Sequence, residues 1–356
     1  MARLGRLRSS FSALRADALL VSHLPNIRYL CGFSGSTGLL LVEGSTATLF
    51  TDSRYTFQAK EEVSVARIHI AKHGLLRAVG ERLRSLRGRA RVGYSATSVT
   101  VAQKTALDAA VGGRVRWVGD GSVVEKLRSV KDSQELARMR EAADVISQVF
   151  RRTLDSIRPG VSELALASRI ESGIKQLGGE GQSFETIVAS GPRSAWAHGR
   201  PTSKLLRKRE LVVLDQGAIL RGYCSDMTRT VFLGRATDRV RGLYGAVLEA
   251  QQAAKAAIRP GVAAGEVDRA ARQVLKRAHL DRYFTHSTGH GLGLEVHEMP
   301  RIGRSEATIL QEGMVLTVEP GVYIEGLGGI RIEDDVVVTA KGAVDLTTAP
   351  REFLEL

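Results

Sequence analysis

Three histidines fall within thirteen residues in HSTGHGLGLEVHE, residues 286–298, of a 356-residue chain that holds eight in all. His286, His290 and His297 are spaced by four and seven, which suits one helix face. Gly289, Gly291 and Gly293 argue instead for backbone that bends or approaches something closely, the ions of a metal site included. Four acids sit in apolar, strand-like settings elsewhere: Asp215 in VVLDQGA, Asp226 in YCSDMTRTV, Glu319 in LTVEPGV and Glu333 in IRIEDDVVV. One inward carboxylate is ordinarily capped or salt-bridged. Four buried together repel and raise one another's pKa. Divalent cations relieve that repulsion, and four carboxylates balance two such ions. An imidazole among oxygen ligands suits Mn, Co, Fe or Zn better than Ca or Mg. Carboxylates shared by two ions about 3.5–4 Å apart form the arrangement of two-metal hydrolases, with a bridging hydroxide as nucleophile.

The four acids belong together because the second half of the chain contains an internal repeat. IRPGV occurs at 157–161 and again at 258–262, each copy between two helical stretches. FETIVASG from 184 aligns with FTHSTGHG from 284, LVVLDQGA from 211 with VLTVEPGV from 315, and SDMTRTVFL from 225 with IEDDVVVTA from 332. Asp215 then pairs with Glu319 and Asp226 with Glu333. His290 falls at or beside the position of Ser190 and breaks the symmetry. Two similar α/β halves are expected to face each other, their strands meeting in a curved antiparallel sheet with helices over the outer face. In that frame the stretch 286–298 reads as two strand segments joined by a glycine-rich turn.

The rest of the chain sets the context. Its length suggests two domains, with the boundary placed just before a long helical stretch, giving 1–128 and 129–356. Residues 1–128 read as an α/β unit with strands in ADALLVSH, TGLLLVEG and TATLFTD and helices at 72–88 and 97–110. Ser133 is the expected N-cap of the long helix. The Arg- and Ser-rich N-terminus lacks a signal-peptide apolar core and reads as an amphipathic helix. No apolar run approaches a membrane span. Two cysteines, Cys31 and Cys224, make no disulfide framework, so a reducing cytoplasmic setting is expected. The net charge of +13 raises nucleic acid as a partner. The arginine cluster at 77–91 lacks interleaved aromatics and reads as a solvated helix face, so nucleic acid is not the expected partner.

DQGAILRGYCSDMTRTV, HSTGHGLGLEVHE, TVEPGVYI and GGIRIEDDVVV resemble the pita-bread metallopeptidases, specifically the Xaa-Pro peptidases, aminopeptidase P and prolidase. NIRYLCGFSGSTGLLLV and FTDSRY resemble the creatinase-like N-terminal domain of the same family. The resemblance implies a creatinase-like α/β domain followed by a pita-bread catalytic domain with a pseudo-twofold repeat. It implies two divalent metal ions, Mn foremost with Co, Zn or Fe as alternatives, held by Asp215, Asp226, His290, Glu319 and Glu333. Asp226 and Glu333 would bridge the ions, and Glu319 would also shuttle a proton to the leaving nitrogen. His198 would contact substrate near the scissile bond, and His297 would stabilise the developing oxyanion. His286, Arg331 and, more weakly, Tyr223 would line the site. Substrates would be peptides with proline second, and the assembly a homodimer. Because FTDSRY resembles a segment common in aminopeptidase P relatives, the activity expected is removal of the residue before proline from peptides. Xaa-Pro dipeptidase activity is the alternative, and a non-catalytic binding scaffold a remote third.

Overall fold

Short buried apolar runs and sharply capped helices build two compact units, Met1–Arg128 and Ser129–Leu356. The computed structural model describes residues 2–86 and 88–356. In the first unit the strands are β1 (Ala18–Val21), β2 (Leu39–Glu43), β3 (Ala47–Thr51), β4 (Arg67–Ile70), β5 (Ala90–Tyr94) and β6 (Val115–Gly119). They form one mixed sheet in the order β4-β3-β2-β1-β5-β6. β1 and β2 are buried along their whole length, which their unbroken apolar sequences require. The amphipathic reading of the N-terminus holds for helix Ala2–Ser9, which buries Leu4 and Leu7.

The two expected helices are shorter or shifted. They span Leu75–Arg84 and Val101–Val111. The second starts where Thr100 and Gln103 close a capping box, a signal that fixes the first turn more sharply than apolar period does. The two pack so closely that a Cβ on Gly80 would lie 2.4 Å from that of Ala110. Three arginines of 77–91 have acidic partners: Arg82 binds Glu43, Arg91 binds Asp17, and Arg77 pairs with Glu81 one turn along. Arg87 of that cluster lies outside the described residues.

The second unit carries the repeat. Its long helix, Ser133–Thr153, is capped by Asp132, not Ser133, because the Glu135 side chain reaches back to the Asp132 backbone to complete a capping box. Helix Glu163–Gln176 follows in the first half, and helices Asp238–Ala257 and Ala264–Arg277 occupy the matching places in the second. The two IRPGV turns are built alike. Gly160 and Gly261 have φ of +88° and +87°, a left-handed conformation that glycine adopts without steric cost. Their amides donate to the carbonyls of Leu206 and Leu310, equivalent residues of the two halves.

The remaining strands are β7 (Gly181–Gln182), β8 (Ile187–Ser190), β9 (Leu211–Gln216), β10 (Ala218–Leu220), β11 (Tyr223–Cys224) and β12 (Met227–Phe232) in the first half. The second half contributes β13 (Gly289–Gly291), β14 (Glu298–Ile302), β15 (Val315–Val318), β16 (Gly321–Ile324), β17 (Gly328–Arg331), β18 (Asp334–Thr339) and β19 (Gly342–Asp345). Each half has its own antiparallel sheet, β12-β9-β8 and β14-β13-β15-β18-β19. The ladder between them is broken and side chains close the seam. Thr230 Oγ1 bonds both the amide and the carbonyl of Arg331, and Glu333 N donates to Thr228 O at 3.1 Å. Helices cover both sheets from outside. Val149, Phe150, Leu166 and Ile170 pack on Val212 and Leu214, while Val247, Ala271 and Val274 pack on Leu316 and Val336.

Candidate metal centre

Both hairpins deliver their acids the same way. Asp215 lies in β9 opposite Thr228 of β12, and Asp226 immediately precedes β12. Glu319 follows β15, and Glu333 precedes β18, which pairs with β15. His290 enters from β13. Asp226, His290 and Glu333 each present a ligand atom, and these atoms lie within 4.8 Å of one another. His290 Nε2 is 3.4 Å from Glu319 Oε1 and 3.6 Å from Asp226 Oδ2. Asp215 is drawn to the same place by Arg331, whose Nη2 meets its Oδ2 at 2.5 Å. All five residues of the sequence-derived set therefore converge from two halves of the unit. Ser190, in β8, is engaged away from this cluster. Its hydroxyl bonds Glu163 at 2.8 Å and receives Lys204 Nζ at 2.6 Å.

The glycines around His290 are explained by neighbouring strands rather than by ions. A Cβ on Gly289 would stand 2.0 Å from the carbonyl oxygen of Thr317, and one on Gly291 would stand 2.2 Å from that of Met299. Glycine is what lets β13 fit between β14 and β15.

The donors fit divalent cations. Asp215 Oδ1 and Asp226 Oδ1 are buried with no hydrogen-bond partner, a costly condition for a carboxylate oxygen. His290 Nδ1 lies 3.0 Å from the carbonyl of Gly291, which can only accept, so Nδ1 carries the proton. The lone pair of Nε2 then faces carboxylate oxygens, an arrangement a cation makes favourable and orients through the second nitrogen. Burial holds the His290 pKa below its ordinary value and keeps the ring neutral, as a ligand must be. Burial first, and then the charges of Glu333 and Asp215, push Asp226 well above the carboxylate range. Glu333 is raised well above its ordinary value by burial and then by Glu319 and Asp215, and Glu319 is raised mainly by burial.

These shifts predict a pH dependence. A carboxyl whose folded pKa is raised stabilises the fold below its unfolded pKa, about 4, and loses that contribution as pH rises through the folded value. The metal-free protein therefore loses stability from these groups above about pH 4. Bound cations require the ionised forms, so binding releases protons and tightens with pH. The rise in Tm between chelated and metal-loaded protein is expected to grow from about pH 5 to about pH 7.5. An increment independent of pH would show that these acids do not bind metal.

Around the acids stands a second set. His297, just before β14, sets its ring 4.4 Å from that of His290, edge to face. Burial, followed by the His290 charge, lowers its pKa. His286 receives Tyr323 OH at Nε2, 2.9 Å away, and its Nδ1 donates to Ser287 O. Arg331 Nη1 in turn donates to Tyr323 OH at 2.7 Å and to Ala197 O at 3.1 Å. The carbonyl next to His198 is thus tied to the guanidinium that holds Asp215. His198 itself is exposed, and its charge is among those depressing the pKa of His286 and His297 after burial. Tyr223 sits apart, buried among Met139, Leu292 and Val337 with its hydroxyl donating to Glu135 at 2.9 Å.

Several contributors are not visible in the sequence reading. Thr228 bonds Glu333 Oε2 at 2.6 Å, Thr317 bonds Glu319 Oε1 at 3.2 Å, and Asp335 accepts the amide of Asp226 at 2.9 Å. Each stands two residues from one of the acids, and strand alternation puts such residues on one face. That spacing is the signal that could find them. Tyr323 has none.

Comparison with known proteins agrees with this geometry. The sequence profile "Metallopeptidase family M24" matches residues 137–340, and "Creatinase/Prolidase N-terminal domain" matches residues 3–130. The chain is 35% identical over 353 residues to an Xaa-Pro dipeptidase of Pyrococcus furiosus, covering 99% of each. Its structure superposes on an Xaa-Pro dipeptidase from Bacillus anthracis with a TM-score of 0.96 and 36% identity, covering 100% of this chain and 99% of the other. An X-Pro aminopeptidase from Thermotoga maritima gives 0.90 at 35% identity, covering 98% and 100%.

Proposed function

The chain belongs to metallopeptidase family M24, and from that premise we propose that it is an Xaa-Pro dipeptidase working with two divalent metal ions. The observation that carries the reading is the end-to-end likeness to Xaa-Pro dipeptidases, 99% of both chains with the P. furiosus protein. It favours the dipeptidase over the aminopeptidase that FTDSRY suggests. The Thermotoga likeness keeps aminopeptidase activity as the second reading. Manganese as the working metal and a homodimeric assembly belong to the same proposal. Among the described residues no helix is long and apolar enough to cross a membrane.

In this reading Asp215, Asp226, His290, Glu319 and Glu333 hold the metal ions, which when bound polarise the scissile carbonyl and acidify water. Glu319 takes a proton from the attacking water and returns it to the proline nitrogen, which carries no hydrogen of its own in the peptide. Thr317 Oγ1 fixes the orientation of the Glu319 carboxyl. His297 donates a hydrogen bond to the oxyanion that forms on the carbonyl oxygen. His198 meets the substrate beside the scissile bond on a loop that Arg331 secures through Ala197 O. His286 holds Tyr323, and Tyr323 and Asp215 together hold Arg331.

Metal-loaded protein is expected to cleave Ala-Pro with a kcat/KM at least about tenfold above that for Arg-Pro-Pro, the scale of one well-made contact to the free carboxylate. Cleavage of the tripeptide with no activity on the dipeptide would establish the aminopeptidase instead.

A further inference from the structure

Thr228 and Asp335 occupy the same place in the two halves of the repeat. SDMTRTVFL from 225 aligns with IEDDVVVTA from 332, which sets Thr228 of β12 against Asp335 of β18. Each stands two residues after the acid that precedes its strand, Asp226 in one half and Glu333 in the other. The bonds they make cross to the opposite half. Thr228 Oγ1 donates to Glu333 Oε2 at 2.6 Å, and Asp335 Oδ2 accepts the amide of Asp226 at 2.9 Å. The amide of Glu333 completes the exchange by donating to Thr228 O at 3.1 Å. Each half therefore holds the backbone amide of the other half's acid, through a main-chain oxygen in one direction and a carboxylate in the other.

Both side chains are committed to the residues of the metal centre. Asp335 is buried, and its Oδ1 has no hydrogen-bond partner. Among the described residues, the amide of Asp226 is the one hydrogen bond that its carboxylate makes. The Thr228 hydroxyl receives Arg331 Nε at 3.0 Å. A guanidinium only donates, so the hydroxyl proton is left for Glu333. The neighbouring strand repeats the device. Thr317 lies opposite Asp335 in β15, accepts the amide of His290 at 3.0 Å and so turns its own proton to Glu319. Register cannot set the spacing across the seam, because among the described residues no strand pairing joins β12 to β18. Asp226 and Glu333 repel each other when ionised, and the crossed bonds are what oppose their separation.

We propose that Thr228 and Asp335 are a reciprocal pair of positioning residues that set the spacing of Asp226 and Glu333, and with it the capacity of the centre to take a second divalent ion. The inference rests on the two-metal part of the Xaa-Pro dipeptidase reading. Acids free to move can gather around a single ion. A second ion that shares the same two carboxylates needs both of them in a fixed relation. Loss of either crossed bond is therefore expected to fall on the second ion.

The test titrates Mn(II) into chelator-stripped protein and reads the free ion by electron paramagnetic resonance, which gives the number of ions bound and the affinity of each without reference to activity. The proteins are wild type, Thr228→Val, Thr228→Ser, Asp335→Ala and Asp335→Asn. Thr228→Val keeps the shape of the side chain without its hydroxyl, which Thr228→Ser retains. Asp335→Asn still offers the Asp226 amide an oxygen, and Asp335→Ala does not. Thr228→Val and Asp335→Ala are expected to weaken the second ion by about 10- to 100-fold, the usual cost of losing a partner behind a metal ligand, and the first ion by less. Thr228→Ser is expected to bind the second ion more tightly than Thr228→Val, and Asp335→Asn more tightly than Asp335→Ala. Cleavage of Ala-Pro is expected to follow occupancy by the second ion, so that excess Mn(II) recovers it. Two ions bound as tightly in Thr228→Val and Asp335→Ala as in wild type would overturn the proposal. Equal weakening of both ions would overturn it too, as would the absence of any advantage for the conservative substitutions. If circular dichroism shows that one variant does not fold, the other position decides alone, because each predicts the same loss. Wild-type protein that binds a single ion would instead remove the two-metal reading, and this inference with it. Two ions bound with no cleavage of Xaa-Pro dipeptides would remove the dipeptidase activity and leave the crossed bonds to be judged on metal binding.

Discussion

Asp226→Asn is expected to lose bound metal and to reduce cleavage of an Xaa-Pro dipeptide by roughly 10³-fold or more, several kcal/mol of transition-state stabilisation at about 1.36 kcal/mol per tenfold. The same substitution is expected to raise the stability of the metal-free protein. Asp226 stands among Glu333, Asp215, Asp335 and Glu319, all of which oppose its ionisation, after burial, which opposes it most. Its Oδ1 has no hydrogen-bond partner, so an amide there breaks no bond at that atom. Its backbone amide stays on Asp335 Oδ2 because the substitution does not touch it. Removing one charge from a mutually repelling set relieves the fold and disarms the metal centre together. Metal analysis, kcat/KM and the Tm of chelated protein read the three effects separately. A variant that keeps full metal content and full activity sinks the assignment. One that loses metal and also becomes less stable without it would contradict the role given to repulsion.

The acids of this centre are legible in the sequence through symmetry rather than through any local motif. Asp215 and Glu319, or Asp226 and Glu333, are unremarkable singly; matching positions in two copies of one unit are what set them in one place. The turns at Gly160 and Gly261 show why symmetry suffices, since near-identical φ values at equivalent glycines mean that the repeat is preserved in backbone geometry and not just in composition. The limits have equally particular causes. The cap of the long helix lies one residue before the expected Ser133 because Asp132 and Glu135 satisfy each other's backbone amides, a reciprocal bond that a search centred on Ser133 overlooks. The glycines beside His290 point toward ions because sequence shows that backbone comes close to something without showing what, and here it is Thr317 and Met299. Tyr323 is invisible because its role arises from His286 and Arg331, which reach it from either side. The preference for aminopeptidase over dipeptidase rests on FTDSRY, six residues in the first unit. Likeness along the whole chain carries more weight than those six.

Arg229→Met is expected to destabilise the second unit by about 3–5 kcal/mol, the cost of breaking a buried charge network from one side. Arg229 leaves β12 with 2% of its side chain exposed and pairs with fully buried Asp334 at 2.7 Å. Its guanidinium also donates to the carbonyls of Glu333, Thr228, Ala349 and Pro350. One side chain thus joins the strand after Asp226, the carbonyl of Glu333 and the C-terminal segment. Methionine fills much of the volume and can satisfy none of those acceptors, so the loss is of hydrogen bonds and charge rather than of packing. Asp334 keeps Arg351, Lys255 and Gln251, which moderates the damage on the acid's side but does nothing for the stranded carbonyls. The matched control is Arg241→Met, whose pair with Glu355 is 40% and 28% exposed. Solvent screening limits such a pair to roughly 0–1 kcal/mol. Urea midpoints of the metal-loaded proteins compare the two directly, since the total number of charges changes equally. Equal midpoints for both variants would mean that Arg229 is no more than a surface charge turned inward. A large deficit for Arg229→Met alone, together with weaker metal retention, would show that the metal strands depend on this guanidinium for their spacing.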